Sequence, residues 1–422
     1  IQDIAHHALL KQLEIYEADH GCVVVMETKT GHVKAISNLG RANDGSYYEK
    51  INYAVAESHE PGSTYKLADL MALLEDKKAD TSTVYDSKGG VLTYSGKKVR
   101  DSHQGGYGKI SLARGFELSS NTVMVQAVYE AYKNNPSKFV NHLNDFGLNK
   151  PLGLSIKGEG KPYIPQPKDK HWSNISLPWM AFGYGVSITP MQTLAFYNAV
   201  ANNGEMVKPQ FVSEIKEWNR TIKKYEKEVL NPRICSQETV LKLRAVLENV
   251  VKKGTGSKLY SKDFSMAGKT GTAQVNYKDK SKLYYASSFV GYFPADEPKY
   301  SCIIVVHKPN VAAGYYGADV SGPVFKRIAQ KIFTDSPSMN HVKNIDAKVV
   351  SQEKNYAEYY KKVENEERIV PNVKGMQGMD AVALLENLGL KVKVIGVGRV
   401  KKQSLTSGQA FNKNQTIIIE LS

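Results

Sequence analysis

The sequence predicts an α+β fold with an antiparallel sheet, followed by a small separate module. Two observations predict the sheet: strand-like segments lie at both ends of residues 1–335, and helical patterns occupy the middle. In such an arrangement the first and last strands are expected to be neighbours in one sheet. The third observation is length, because 422 residues exceed the size at which a single hydrophobic core usually stops growing.

The elements of the first region follow from local patterns. Residues 22–37, CVVVMETKTGHVKAIS, predict two strands joined by a tight turn at 28–32. Apolar residues at helical spacing predict helices at about 64–76, 111–132, 190–203 and 236–252. Closing strands are predicted within SMAGKTGTAQV, SSFVGYFP and YSCIIVVHKP, between 264 and 309.

The composition changes after residue 335. Residues 336–369 are rich in Lys, Glu, Asn and Tyr, as in QEKNYAEYYKKVENEER, and predict a polar linker or an exposed helix. Residues 370–422 contain a short helical pattern at about 378–388, ended by Gly389, and then alternating strands. We therefore predict two domains, 1–335 and 370–422, joined by the linker.

Composition limits the classes of function. The formal net charge of +14 indicates an anionic neighbour, such as a membrane surface, a cell-wall polymer or nucleic acid. The lysines are spread along the chain and no nucleic-acid motif is present, so nucleic acid is not a predicted partner. The histidines show no ligand spacing such as HExxH, and neither a metal nor a cofactor is predicted. The three cysteines lie in or beside apolar segments and are interpreted as buried thiols.

No membrane-spanning segment is predicted. No apolar run approaches the roughly 18 residues that a membrane helix needs. The chain begins at Ile1 without an initiator Met, so we expect that a leader or anchor was removed upstream.

The segment HEPGSTYKLADL, residues 59–70, places Ser63 after a Pro-Gly turn and Lys66 three residues later. Ser63 could simply cap the helix that follows. Alternatively it is a nucleophile, because residues three apart share a helix face and a neutral Lys66 could accept the hydroxyl proton. The pattern alone does not decide between them. It occurs four times, beginning at Ser63, Ser95, Ser213 and Ser351.

Two further short motifs follow along the chain. The helix expected from 111 contains Ser119, Ser120 and Asn121, which could instead bond locally to the backbone. Residues 268–272, GKTGT, open a predicted strand, although their glycines also suit a bulge or turn. A second Lys-Thr-Gly begins at Lys29, in the predicted hairpin turn, where the lysine is expected to point into solvent.

SxxK, SxN and KTG occur in this order, the first opening a helix and the last on a strand. Here the chain resembles the penicillin-binding serine transferases, and most closely a class B penicillin-binding protein, a peptidoglycan D,D-transpeptidase. The resemblance implies the penicillin-binding and serine β-lactamase type of fold, an antiparallel sheet flanked by helices. It extends over nearly the whole chain through VVVMETKTGHVKAI, FGYGVSITPMQ, KGTG, SSFVGYFP and YYGADVSGPVF.

Residues 370–422 resemble a PASTA module, which implies a small βαββ unit. The segment begins VPNV, as the family pattern does. It departs from that pattern in QSLTSGQ, which lacks the proline of the family's QSxxPG loop.

The resemblance implies a set of catalytic residues. Ser63 would attack the carbonyl between the two terminal D-alanines of a stem pentapeptide, with Lys66 as base. Ser119 would relay a proton to the departing D-alanine, and Asn121 would hold the substrate's peptide amide. Lys269 would lower the pKa of the base through its positive charge.

The resemblance also implies a binding segment on the KTG strand. Thr270 and Thr272, with Gly271 between them, would bind the terminal carboxylate of the substrate. The backbone N–H groups of Ser63 and Thr272 would form the oxyanion hole.

The implied partners are peptidoglycan stem peptides, β-lactams, a polytopic membrane glycosyltransferase and other division proteins. The implied location is the extracytoplasmic, periplasmic face of a bacterial inner membrane, with a single N-terminal anchor helix that this chain lacks. Two alternatives are a β-lactam sensor domain and a serine β-lactamase. The PASTA-like module disfavours the sensor, and no E-x-x-L-N loop of the class A β-lactamases is present.

Overall fold

The computed structural model describes residues 1–335 and 368–422, apart from positions 219, 278 and 280. The described chain forms two compact units, one within each of these ranges. Residues 336–367 of the predicted linker lie outside the described residues, and so does the Ser-x-x-Lys pattern at Ser351.

The first unit contains both helices and strands, with a run of helices in the middle of the chain. Its helices are α1 Gln2–Ile15, α2 Tyr53–Ala56, α3 Lys66–Glu75, α4 Leu112–Glu117, α5 Asn121–Tyr132, α6 Pro136–Asp145, α7 Ser176–Met180, α8 Pro190–Ala201, α9 Gln237–Lys253, α10 Gly317–Val320 and α11 Gly322–Asp335. Its strands are β1 His20–Glu27, β2 Val33–Arg41, β3 Tyr47–Glu49, β4 Val84–Asp86, β5 Val91–Tyr94, β6 Lys97–Arg100, β7 Lys109–Ser111, β8 Met206–Val207, β9 Glu214–Glu217, β10 Arg220–Lys224, β11 Val229–Asn231, β12 Ala267–Val275, β13 Tyr284–Phe293 and β14 Tyr300–His307.

An antiparallel sheet with the strand order β12-β13-β14-β1-β2-β3 forms the centre of this unit. Strand β1 pairs with β2 on one side and with β14 on the other. The predicted α+β class, the first hairpin and the pairing of the first strand with the last are therefore confirmed. Strand β12 lies at the edge of the sheet, so its outer side is not paired with another strand of that sheet.

Helices cover both faces of the sheet. Side chains alternate between the faces of a strand, so the uninterrupted burial along β1 requires a hydrophobic layer on each side. Val23 and Val25 pack in the layer formed with α1 and α11, whereas Val24 packs in the layer that contains α3, α5 and α8. The cysteines are buried thiols within or beside these layers, as predicted.

The helix predicted at 111–132 is two helices, and the prediction of one continuous helix is wrong. Helix α4 ends at Glu117, and α5 begins at Asn121. Ser119 between them has a φ of 58°, which no helix residue can adopt. Ser120 then caps α5, its Oγ accepting a hydrogen bond of 3.1 Å from the Val123 amide. The polar Ser-Ser-Asn segment interrupts the helix, although the helical spacing of apolar residues continues across it.

The second unit consists of helix α12 Gly378–Asn387 and strands β15 Lys391–Ile395, β16 Val400–Gln403 and β17 Thr416–Leu421. Strand β17 lies in the middle, parallel to β15 and antiparallel to β16. The unit has its own buried core, which includes Val373, Leu385 and Ile417. Before the helix there are two isolated bridges, Ile369 to Ala410 and Gln377 to Arg399, rather than the first strand of the expected βαββ order. Pro371 lies between Ile369 and Gln377, and a proline has no N–H to donate to a ladder.

Among the described residues, no helix combines the length and the apolar character needed to cross a bilayer.

A close backbone contact fixes the segment that leads into α3. The Gly62 amide donates to the Gly183 carbonyl oxygen over 3.2 Å. A Cβ on Gly183 would overlap the carbonyl oxygen of Gly62, and the φ of Gly183 is 82°. Gly185, with a φ of 72°, has no atom within 4 Å of the same position. Of these two glycines, only Gly183 is required both by its backbone conformation and by the lack of space for a side chain.

We expect Gly183→Ala to destabilise the first unit by about 1–3 kcal/mol more than Gly185→Ala, because only the former adds overpacking to the left-handed backbone strain that both incur. Urea unfolding of the two variants measures the difference. Equal losses of stability would show that the Gly62 contact is not restrictive.

Candidate active site

The segment before α3 holds Ser63 at the start of a helix. A single turn of 3-10 helix, Gly62–Tyr65, runs directly into α3 at Lys66. The hydroxyl of buried Tyr197 in α8 donates to the Thr64 carbonyl oxygen over 2.7 Å. This bond fixes the backbone beside Ser63, whose side chain is half-buried and lines a cleft.

The Lys66 amine reaches the loop between α4 and α5. Its Nζ donates to the Ser119 carbonyl oxygen over 2.7 Å and to Asn121 Oδ1 over 2.6 Å. Its distance to Ser119 Oγ is 3.4 Å. Within the described chain the structure gives no hydrogen bond between Lys66 Nζ and Ser63 Oγ. The structure thus brings the SxxK lysine to the SxN motif, with Ser63 beside them in the cleft.

Lys269 approaches the same serine from the edge strand. Its Nζ donates to Ser119 Oγ over 2.8 Å and to the Thr270 carbonyl oxygen over 2.9 Å. Lys66 and Lys269 are both fully buried. The Ser119 hydroxyl therefore lies between two buried amines that come from α3 and β12.

Burial dominates the electrostatics of both lysines. It lowers the pKa of Lys66 to about 7, while the carboxylates of Asp101 and Asp69 act in the opposite direction. It also lowers the pKa of Lys269 well below its ordinary value, and the charge of Lys66 adds to that lowering. The family resemblance implies that the charge of Lys269 lowers the pKa of Lys66. In the structure the cause of the lowering is instead the loss of solvation of the buried ammonium group.

Asp69 lies on α3, one turn after Lys66, and is fully buried. In the described part of the chain neither of its carboxyl oxygens has a hydrogen-bond partner. Burial raises the pKa of Asp69 well above its ordinary value, although Lys66 acts to lower it. Burial therefore disfavours the charged form of Asp69, and it is this charged form that would favour a proton on Lys66.

Asp101 supports the loop that carries Ser119 through hydrogen bonds to the residues that follow this serine. It is not among the residues predicted from the sequence. Its carboxylate accepts bonds from the Thr122 amide (2.9 Å), the Thr122 hydroxyl (2.7 Å) and the Ser120 hydroxyl (3.0 Å). Next to it, the Arg100 carbonyl oxygen accepts a bond of 2.7 Å from Asn121 Nδ2. No short motif marks Asp101, because it comes from the end of β6 and meets α5 only in the fold.

The residues after Lys269 are held from both sides of the edge strand. Thr270 Oγ1 lies 2.7 Å from Thr255 Oγ1, in the KGTG segment. Thr272 Oγ1 accepts a bond of 3.1 Å from the Gly317 amide. Gly271 is buried and does not line the cleft, so the structure does not bring this predicted substrate-binding residue to the cleft surface. A Cβ on Gly62 would lie 3.3 Å from the Thr272 carbonyl oxygen, so the backbones beside Ser63 and at Thr272 adjoin.

These groups open into a cleft of about 760 Å³. Ser63, Ser119, Asn121, Thr270 and Thr272 line it. Aromatic side chains form much of the remaining wall: Trp179, Phe182, Tyr184, Tyr277, Tyr285, Tyr315 and Tyr316. Such a cleft offers an extended, partly apolar surface beside the serine and the two lysines.

The competing copies of the motifs lie elsewhere. Lys29 is exposed in the turn between β1 and β2. Ser95 and Ser213 are exposed and do not line the cleft. Of the SxxK serines in the described chain, Ser63 is thus the one that shares a cleft with the SxN and KTG residues.

Comparison with known proteins identifies the two domains of the chain. Residues 21–330 match the penicillin-binding protein transpeptidase domain, and residues 368–422 match the PASTA domain. The chain is 29% identical over 436 residues to stage V sporulation protein D of Bacillus subtilis. The alignment covers all of this chain and 64% of that protein. It is 28% identical to peptidoglycan D,D-transpeptidase FtsI of Buchnera aphidicola, over 79% of this chain and 56% of the relative.

Solved structures share the fold. Penicillin-binding protein 3 from Mycobacterium tuberculosis, in complex with aztreonam, superposes with a TM-score of 0.68 at 24% identity, covering 79% of this chain and 77% of that one. The fold and the matched domain define a penicillin-binding protein transpeptidase domain. The chain belongs to this family, with a PASTA domain at its end. It spans between about half and two thirds of the length of the two curated relatives.

Asp101→Asn should destabilise the first unit by about 2 kcal/mol, because it weakens several hydrogen bonds to a charged acceptor. Asp319→Asn is the matched control in the same cleft, since its carboxylate pairs with the exposed Lys258 over 2.7 Å and such pairs contribute about 0–1 kcal/mol. Urea unfolding compares the two variants. A loss at Asp101 no larger than at Asp319 would contradict its supporting role.

Proposed function

We propose that this chain is a serine-type peptidoglycan D,D-transpeptidase that joins stem peptides through an ester on Ser63. The single observation that carries the proposal is the Ser119 hydroxyl, held between the buried amines of Lys66 and Lys269 in the cleft that Ser63 lines. This arrangement suits acyl transfer, in which protons must move between a hydroxyl nucleophile, a base and an amine leaving group.

Lys66 serves as the base. A neutral amine has two N–H groups and one lone pair, and the two N–H groups are taken by the Ser119 carbonyl oxygen and Asn121 Oδ1. The lone pair is then available to accept a hydroxyl proton. With a pKa of about 7, a large fraction of Lys66 is neutral near pH 7, where general-base catalysis is most effective.

Substrate binding follows from the edge strand. The outer side of β12 is not paired with another strand of the sheet, so an extended peptide can lie against it. Thr270 and Thr272 line the same cleft, and their hydroxyls would bind the terminal carboxylate. The negative charge of that carboxylate would raise the pKa of Lys269 and favour its cationic form.

Acylation begins when Ser63 Oγ attacks the carbonyl carbon between the two terminal D-alanines and its proton passes to Lys66. The backbone N–H groups of Ser63 and Thr272 stabilise the oxyanion, each typically by about 3–4 kcal/mol. The C–N bond then breaks, and the departing D-alanine amine takes a proton through Ser119. An amine of a second stem peptide attacks the ester, forms the new amide and returns a proton to Ser63 Oγ.

The cellular setting is inferred from the family and from the names of the relatives. We infer that the chain acts outside the cytoplasmic membrane of a bacterium, with a polytopic glycosyltransferase and other division proteins as partners. FtsI of Buchnera aphidicola is named a peptidoglycan D,D-transpeptidase, and stage V sporulation protein D is named for spore formation. The name FtsI is compatible with wall synthesis at a septum. β-Lactams would acylate Ser63 as mimics of D-Ala-D-Ala.

Ser63→Ala should abolish stable labelling by a fluorescent penicillin, whereas Ser95→Ala, in another SxxK pattern, should label normally. In the unaltered chain the labelling rate should rise as the pH increases through about 7, because Lys66 must lose its proton to act. Peptide mapping by mass spectrometry locates the label. A label on another serine would refute the assignment, and rapid hydrolysis of the ester would indicate a β-lactamase.

Lys269→Met should slow acylation by about a hundredfold or more, as expected when a group that stabilises developing charge is removed. Methionine roughly conserves the volume of the buried side chain, which limits the cost in stability. Lys29→Met is the matched control in the second Lys-Thr-Gly, because Lys29 is exposed and should change the rate little. Similar rate losses in both variants, measured with the same fluorescent penicillin, would overturn the choice of motif.

A further inference from the structure

The open edge of β12 is covered at one point by a side chain. The hydroxyl oxygen of Tyr184 accepts a hydrogen bond of 2.7 Å from the backbone amide of Gln274. Both residues line the cleft. Gln274 is the last residue but one of the strand, and Thr272, whose amide belongs to the proposed oxyanion hole, precedes it by two positions. The tyrosine therefore lies beside the region in which the substrate is expected to bind.

The Gln274 amide faces the open side of the strand. Gln274 lies opposite Tyr285 in the register of β12 and β13. The Tyr285 carbonyl oxygen accepts a bond of 2.8 Å from the Lys308 amide, just after β14, so it points away from β12. Residues of an antiparallel pair alternate between those that exchange both backbone bonds and those that exchange none. The backbone groups of Gln274 and, by the same alternation, those of Thr272 are therefore directed out of the sheet.

The proposed mechanism sets the direction in which a substrate would lie on this edge, and the inference below rests on that proposed function. The reacting carbonyl binds at the Thr272 amide, and the terminal carboxylate lies toward Thr270, so the peptide runs antiparallel to β12. The penultimate D-alanine is then opposite Thr272 and can exchange both backbone bonds with it. The substrate residue two positions earlier would be opposite Gln274. Its carbonyl oxygen would need the Gln274 amide.

We propose that Tyr184 ends the strand pairing of the substrate after Thr272. The Tyr184 hydroxyl oxygen takes the place on the Gln274 amide that a carbonyl oxygen of the substrate would otherwise take. Adding a strand to an open sheet edge normally gives a longer peptide more main-chain hydrogen bonds. Tyr184 removes this advantage, so recognition depends on the D-Ala-D-Ala end and the earlier part of the stem peptide leaves the strand.

Backbone contacts on both sides of Tyr184 hold it in place. The Gly183 carbonyl oxygen accepts a bond of 3.2 Å from the Gly62 amide. The Gly185 amide donates to Glu60 Oε1 over 2.8 Å. Gly62 and Glu60 belong to the segment that leads into the candidate nucleophile. The position of Tyr184 is therefore fixed relative to the reacting end of the substrate.

Aromatic packing holds the ring of Tyr184 as well. The ring centroids of Phe182 and Tyr277 lie 4.9 Å and 5.4 Å from its own. The Tyr277 hydroxyl in turn donates to Glu60 Oε1 over 3.2 Å. Moving Tyr184 off the strand would break these ring contacts together with the bond to Gln274. We therefore expect the tyrosine to stay in place when a substrate binds.

The test measures how strongly two peptides, N-acetyl-D-Ala-D-Ala and N-acetyl-L-Ala-D-Ala-D-Ala, slow the labelling of the full chain by a fluorescent penicillin. Only the longer peptide carries the carbonyl that would reach the Gln274 amide. Tyr184→Phe frees that amide, so the preference for the longer peptide should rise by about three- to tenfold, the usual effect of one added hydrogen bond. Tyr184→Leu clears more space and should also raise it.

Tyr277→Phe is the matched control. It removes a hydroxyl from the same wall of the cleft, but that hydroxyl is bonded to Glu60 and the Gln274 amide stays covered by Tyr184. The preference for the longer peptide should therefore not change.

The inference is overturned if neither Tyr184 variant gains preference for the longer peptide, if the control gains as much, or if neither peptide competes with the penicillin. A reduced preference in Tyr184→Phe would also overturn it, because the hydroxyl would then bind the substrate itself. Failure of the unaltered chain to become labelled on Ser63 is a different result. It would contradict the proposed function and the inference with it.

Discussion

The placement of one hydroxyl between two buried amines is the constraint on which the rest of the site depends. Ser119 Oγ accepts from Lys269 and lies near Lys66. Burying two amines at one point costs free energy, because an ammonium group is strongly solvated in water. The packing of α3, β12 and the loop after α4 must offset this cost. The Tyr197 bond to Thr64, the Asp101 bonds to α5 and the contact of Gly62 with Gly183 each hold one part of this arrangement.

The sequence predicts those parts of the fold that local patterns determine. The first hairpin, the closing strands and the choice between two Lys-Thr-Gly segments follow from turn residues and alternation. The break at Ser119 does not follow from apolar spacing, since α4 and α5 bury residues in the same core. The Ser-Ser-Asn run could have indicated it, because Ser is a favoured N-cap. The position of Asp101 depends on tertiary packing and has no local pattern.

The contact between His20 and His307, whose rings are stacked with centroids 4.4 Å apart, shows the same limit more clearly. Motif reasoning looks for functional residues a few positions apart, whereas His20 and His307 come from opposite ends of the first unit. Antiparallel pairing of β1 with β14 places them directly opposite each other, and a shift of register by one residue would send one ring to the other face. Such a contact can be found from sequence only when the strand register is already known.

The open edge of β12 has a consequence for solubility. Unpaired backbone groups along a strand form a template on which a strand of another molecule can add, which leads to aggregation. Here the edge strand is nine residues long, and its glycines at 268 and 271 are poor strand formers. These two glycines weaken the tendency of the open edge to pair with a strand of another molecule.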